Sequence, residues 1–154
     1  MTTNALRIIK ALGIPVRTIE YEVDEDDLSA VAAAAKTGIE PDRIFKTLVA
    51  VGDKTGPFMC VIPGSAELDL KKAAKASGNK SVTMLPLKEL EPLTGYLRGG
   101  CSPVGSRKRL PVYIDETAGL WEELSVSAGH RGLQMLLVPD DLLRACEGDY
   151  ADLV

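Results

Sequence analysis

A chain of 154 residues, 45% hydrophobic and 26% charged, has the make-up of one ordinary globular domain spanning residues 1–154, with too little left for a second. Its net charge of −4 speaks against a general nucleic-acid binder, DNA included, because such proteins are normally basic. No stretch approaches the roughly 20 apolar residues of a membrane helix, and Met1-Thr2-Thr3-Asn4 lacks the apolar core of a signal peptide, so a cytoplasmic location is expected.

In chain order, residues 4–12 carry Leu6, Ile8, Ile9 and Leu12 at helical spacing, with Gly13 and Pro15 as stop signals. Residues 16–21 alternate as a strand, and the acidic residues 22–27 form a loop. Ser29 is placed to cap an alanine-rich helix over residues 30–37 that Gly38 closes. Residues 44–51 are a strand of β-branched and aliphatic residues interrupted by one charge, Lys46. A turn containing Gly56-Pro57 leads to a second strand over residues 58–62, so the pair is expected to be a hairpin. A helix follows over residues 68–77, then a short strand over 82–85 and a helix from Pro86 to about residue 93. Residues 94–105 hold four glycines and a proline, which specify backbone geometry rather than core packing. Strands are expected over residues 110–115, 123–126 and 133–138, with a turn or short helix over 116–120. Residues 127–132 are expected to make a second glycine-bounded turn, and residues 139–147 a terminal helix. Strands and helices interleave without a strict βαβ rhythm, which predicts a mixed α/β fold with a strongly curved mixed sheet.

Lys46 is the most informative residue. On a strand it shares a face with Leu48 and Ala50, while Phe45, Thr47 and Val49 take the other. Both faces look buried, so this lysine must find a partner, reach a cleft or lose its proton. The plain alternative is a lysine whose stem lies on apolar surface while its ammonium reaches water. The lysines at 71, 72, 75 and 80, and the cations Arg98, Arg107, Lys108 and Arg109, make two local positive clusters. These suit either a solvated face or the footprint of one phosphate-bearing end. Three uneven cysteines, Cys60, Cys101 and Cys146, and a lone histidine, His130, supply neither a disulfide framework nor a zinc set, and no metal or cofactor is expected. Cys101 is either a nucleophile or a small half-buried hydrophobe, and the second reading is preferred.

Five segments together carry a resemblance: Phe45-Lys46-Thr47-Leu48; Leu68-Asp69-Leu70-Lys71-Lys72; Thr94-Gly95-Tyr96 with Gly99-Gly100-Cys101-Ser102-Pro103-Val104-Gly105; Lys108-Arg109-Leu110-Pro111; and Ser127-Ala128-Gly129-His130-Arg131-Gly132-Leu133. In this order the chain resembles the YbaK/EbsC family of free-standing aminoacyl-tRNA deacylases, relatives of the editing domain of bacterial prolyl-tRNA synthetases. The resemblance implies a barrel-like mixed sheet surrounded by helices. It implies hydrolysis of the ester joining a wrong amino acid to a tRNA 3′ end, most characteristically Cys-tRNA(Pro), with no protein nucleophile. The resemblance further implies that the substrate thiol attacks its own carbonyl and releases a cyclic thiolactone, so the protein need only orient the ester and stabilise developing charge. By the same resemblance Lys46 is the essential cation and Tyr21 a pocket residue. Thr47 lines the cleft, and Gly100, Cys101, Ser127, Ala128 and Gly129 contact the aminoacyl group. Gln134 joins the substrate-binding set, although many close relatives carry an aspartate there, and Leu28 stands where some carry an aromatic residue. Two other readings stay open: a deacylase for another small amino acid such as alanine, using an ordered water, and a non-catalytic aminoacyl-tRNA-binding module. The expected partners are the aminoacylated tRNA 3′ end and prolyl-tRNA synthetase, which would deliver the tRNA to a protein with few phosphate-facing cations.

Overall fold

The computed structural model describes residues 2–154. The elements follow as α1 (Asn4–Ala11), β1 (Arg17–Glu20), α2 (Ala30–Thr37), β2 (Phe45–Gly52), β3 (Gly56–Pro63), α3 (Leu70–Ser77), β4 (Val82–Met84), α4 (Leu90–Thr94), β5 (Val112–Asp115), β6 (Leu124–His130), β7 (Leu133–Leu137), α5 (Pro139–Cys146) and β8 (Asp149–Ala151). Short 3-10 turns at Leu87–Glu89 and Glu116–Leu120 complete them. The helix starts obey local chemistry. Thr3, Ser29 and Asp69 each offer a side-chain oxygen to a first-turn N–H of α1, α2 and α3. Gly38, Gly78 and Gly95 end α2, α3 and α4 in the left-handed region.

The strands form two sheets, β1-β7-β6 and β4-β2-β3-β5-β8. All pairings are antiparallel except β3 with β5 and β5 with β8. The inner faces of both sheets meet in one core containing Phe45, Val49, Met59, Val61 and Ile114 from the larger sheet and Val126, Leu133 and Met135 from the smaller. Helix α1 seals this core with Ala5, Leu6 and Ile9. The opposite face of β2 and β3 carries Ala50, Phe58, Cys60 and Ile62 beneath Ala73 and Ala74 of α3. A third, smaller cluster joins Ala33 and Ala34 of α2 to Ile44 and Leu136. No helix among the described residues is long and apolar enough to cross a membrane.

The fold is the expected mixed α/β type. The strongly curved single sheet is instead two sheets joined at one parallel bridge, Ile44 to Ser125, and no closed barrel forms among the described residues. Several segments also depart from the sequence reading; Gly56 and Pro57, expected in the hairpin turn, already pair within β3, and the helix expected from Pro86 is a 3-10 turn followed by the short α4. Residues 127–130 are not a turn but the continuation of β6, interrupted by a register shift between Ser127 and His130; only Arg131 and Gly132 turn. A bulge reconciles the glycine with a strand, since one residue of left-handed φ can be absorbed without ending the pairing. Helix α3 begins at Leu70 because Asp69 caps it. The strand expected from residue 110 starts at Val112. Strand β8 adds parallel to β5 and was not anticipated.

Candidate active site

Pairing along β2 creates the site. On one side β2 is matched to β3 for its whole length. On the other, β4 pairs only with Ala50–Gly52, and β6 is bridged only to Ile44, just before the strand. Between β4 and β6 the flank of β2 opens into a cleft of about 310 Å³, lined on the β2 side by six consecutive residues from Ile44 to Val49. Leu28, Ser29, Ala30 and Ala33 close one wall from α2 and the segment before it. Arg98, Gly99 and Cys101 of the glycine-rich loop, with Ser127 and Gln134 of the smaller sheet, form another. Met84 and Leu87, both exposed, add apolar surface to the lining.

Lys46 is half-buried in the lining of this cleft. Its Nζ donates to the Gly64 carbonyl at 3.1 Å. Burial pushes its pKa down from the ordinary lysine value, and the carboxylate of Glu67 opposes that shift. No salt bridge to Lys46 forms among the described residues, so it is a cation held by one neutral acceptor, with donor capacity left for a ligand. Thr47, next along the strand, has a buried hydroxyl without a hydrogen-bond partner.

Gln134 and Ser127 lie opposite each other across β6 and β7. Both are nearly buried and point away from the main core, since Val126, Ala128, Leu133 and Met135 take the core face. The fully buried Ser125 donates its hydroxyl proton to Gln134 Oε1 at 2.7 Å. That bond orients the amide so that its NH₂ end is free for the cleft. Ser127 Oγ accepts the Gly129 N–H at 3.1 Å and keeps its own proton to donate. Burial pushes the Cys101 thiol up to about 12, so at neutral pH it lines the cleft as a neutral, weakly polar surface rather than a thiolate.

Six of the residues singled out in the sequence therefore share one cleft: Tyr21, Lys46, Thr47, Cys101, Ser127 and Gln134. Gly100, Ala128 and Gly129 lie just outside its lining and support it. A Cβ on Gly100 would stand 3.0 Å from the Arg131 nitrogen. This residue thus lets the glycine-rich loop sit directly on the β6–β7 turn. Ala128 is fully buried beneath α1, and its carbonyl accepts the Thr3 hydroxyl at 2.6 Å. Gly129 makes the bulge at φ +99°, against the Tyr96 ring. Arg98 was legible only as part of a cationic cluster, yet it is the one arginine on the cleft wall. Its carbonyl is fixed by the Arg131 guanidinium at 2.7 Å. His130 lies outside the cleft, exposed at the end of β6. Among the described residues no three His, Cys, Asp or Glu side chains come together as a metal site.

Chemically, the arrangement offers a cation with hydroxyl and amide donors around a small pocket, with no activated nucleophile among the lining side chains. It suits holding an anionic or polarised carbonyl group rather than attacking one. Residues 24–145 match the family model described as the aminoacyl-tRNA editing domain. A protein of Enterococcus faecalis, by name a candidate Cys-tRNA(Pro)/Cys-tRNA(Cys) deacylase, EbsC, is 52% identical over 151 residues, covering 98% of this chain and 92% of that protein. A crystal structure described as a candidate trans-editing enzyme for prolyl-tRNA synthetase superposes with a TM-score of 0.80 at 30% identity, over 99% of this chain and 98% of that one. A hypothetical protein at 24% identity superposes with a TM-score of 0.88 over 98% of this chain and 99% of its own, a likeness of fold alone.

Proposed function

The chain belongs to the aminoacyl-tRNA editing domain family and is an aminoacyl-tRNA deacylase; we propose that it acts in trans on Cys-tRNA(Pro). The observation that carries this reading is the cleft itself, which combines the half-buried Lys46 cation with a Cys101 thiol that stays protonated. A pocket without a nucleophile of its own fits a substrate that brings one. In the proposed reaction the cysteinyl thiol attacks the ester carbonyl, forming a C–S bond. Its proton passes to the departing ribose oxygen as the C–O bond breaks, and the products are a thiolactone and uncharged tRNA. Lys46 holds the developing oxyanion or the terminal nucleotide. Tyr21, Thr47, Cys101, Ser127 and Gln134 bound the amino acid, and Gly100, Ala128 and Gly129 hold the loop and strand that carry them.

The name of the Enterococcus faecalis relative supports the cysteinyl substrate. The trans-editing neighbour supports prolyl-tRNA synthetase as the partner that presents the tRNA. Such a reaction belongs in the cytoplasm, where tRNA is charged. Purified protein should deacylate Cys-tRNA(Pro) far faster than Ala-tRNA(Pro) or a Ser-charged tRNA, and prolyl-tRNA synthetase should stimulate it. Lys46→Ala should abolish deacylation while the circular dichroism spectrum stays native; retained deacylation in that variant would sink the assignment. Equal rates on Cys- and Ala-tRNA(Pro) would replace the substrate-thiol route with attack by an ordered water.

A further inference from the structure

A cavity against the face of a strand is lined by alternate residues, because side chains alternate. This cleft is lined by every residue from Ile44 to Val49, so it runs along the edge of β2. The hydrogen-bond pattern shows which main-chain groups that edge exposes. Gly64 N–H donates to the Ile44 carbonyl at 2.7 Å, which sets Ile44, Lys46, Leu48 and Ala50 as the residues bonding to β3. Pro57 and Pro63, which have no N–H to give, sit opposite Val51 and Phe45 in the non-bonded pairs. Phe45, Thr47 and Val49 therefore turn their main-chain groups the other way. There Leu85 N–H reaches the Val49 carbonyl at 3.0 Å, and β6 is bridged through Ser125 to Ile44, just before the strand.

Between these two contacts no strand is paired with Thr47 on this side among the described residues, so its N–H and C=O face the cleft outside any ladder. The Thr47 hydroxyl is unpartnered. An unpaired strand edge inside a cleft is a template for another extended backbone. An aminoacyl ester carries that template's complement, an α-ammonium and a carbonyl separated by one carbon as in a peptide residue. We infer that the open edge of β2 binds the aminoacyl group as one added strand residue, with the Thr47 carbonyl accepting from the α-ammonium and the Thr47 N–H donating to the ester carbonyl. This rests on the aminoacyl-ester reading of the cleft and assigns a role that reading leaves empty. The amino-acid backbone is read by main chain, so side-chain selection falls to Tyr21, Cys101, Ser127 and Gln134 on the walls.

The test uses the full chain and a non-hydrolysable probe, 3′-cysteinylamido-3′-deoxyadenosine. In the free protein the Thr47 amide should exchange with solvent quickly, while the Lys46 amide, bonded into β3, should not. Saturation with the probe should slow Thr47 exchange at least about tenfold. Incorporating the α-hydroxy analogue of threonine at position 47 deletes that N–H while keeping the side chain and the β3 ladder. It should weaken probe binding about tenfold. A probe that shifts the Lys46 resonances yet leaves Thr47 exchange unchanged, or binds the α-hydroxy variant equally well, overturns the edge-binding inference alone. A probe that does not bind at all overturns the aminoacyl reading and the inference with it.

Discussion

Lys46 is one atom group answering two demands. Its stem lies among apolar neighbours on β2, and its ammonium is anchored by the Gly64 carbonyl at 3.1 Å, with no counter-ion in contact among the described residues. Burial lowers its pKa and Glu67 raises it in part, so the cation is lost at a lower pH than the roughly 10.4 of a free lysine. Following the Lys46 side-chain carbon adjacent to nitrogen by NMR should therefore give a titration midpoint below that value. Glu67→Gln should lower it further, because the carboxylate that favours the charged form has gone. A midpoint at or above the ordinary value would contradict the half-buried geometry. Gln134 poses the complementary case, a neutral amide oriented by one buried bond. Ser125→Ala leaves Oε1 without its donor in a site where both residues are nearly inaccessible. The expected cost is about 1–3 kcal/mol, read as a lower urea midpoint at unchanged m-value.

At the scale of elements, the clearest lesson is β6. Local signals located the β2–β3 hairpin, the Ser29-capped α2, the Gly38 stop and the Lys46 strand, because each depends on neighbours in sequence. Residues 127–132 were misread as a turn because their glycines look like punctuation, whereas β6 runs on to His130 through a bulge. Nothing near Gly129 in sequence reveals that β7 keeps pairing beyond it. The same limit hid the Ile44–Ser125 bridge and the Ser125–Gln134 bond, and with them the stretch of β2 at Thr47 that no ladder covers on the cleft side among the described residues. The resemblance to a known family brought Tyr21, Lys46, Thr47, Cys101, Ser127 and Gln134 together before their cleft was visible, but could not say that Gly100, Ala128 and Gly129 lie behind its lining. Gly129 has a testable price in stability. At φ +99°, with the Tyr96 ring 3.0 Å from any added Cβ, Gly129→Ala forces both a disfavoured backbone and a clash. A loss of about 1–3 kcal/mol is expected. Gly119→Ala, which meets open space, is the control that should stay within about 0.5 kcal/mol.

For the molecule as a whole, the open question is how a chain of net charge −4 holds a polyanion. The answer suggested by the fold is that it grips one end only. Lys72 is committed to Asp152 at 3.1 Å, and Arg109 to Glu147. Arg43 and Arg17 both engage Glu123. Arg98, by contrast, is exposed on the cleft wall, makes no ion pair among the described residues, and is held in place through its own carbonyl by Arg131. A phosphate next to a terminal nucleoside in the cleft would meet Arg98 first. One such contact contributes a log–log salt slope of about −0.7 to −0.9. Arg98→Ala should therefore raise KM for aminoacyl-tRNA, leave kcat unchanged, and make the salt dependence shallower by about one. Activity of this variant toward a short aminoacylated nucleoside without the adjoining phosphate should match that of the unaltered protein. If the salt slope did not change, tRNA would have to be held by another surface, and the cleft would contact only the aminoacyl group.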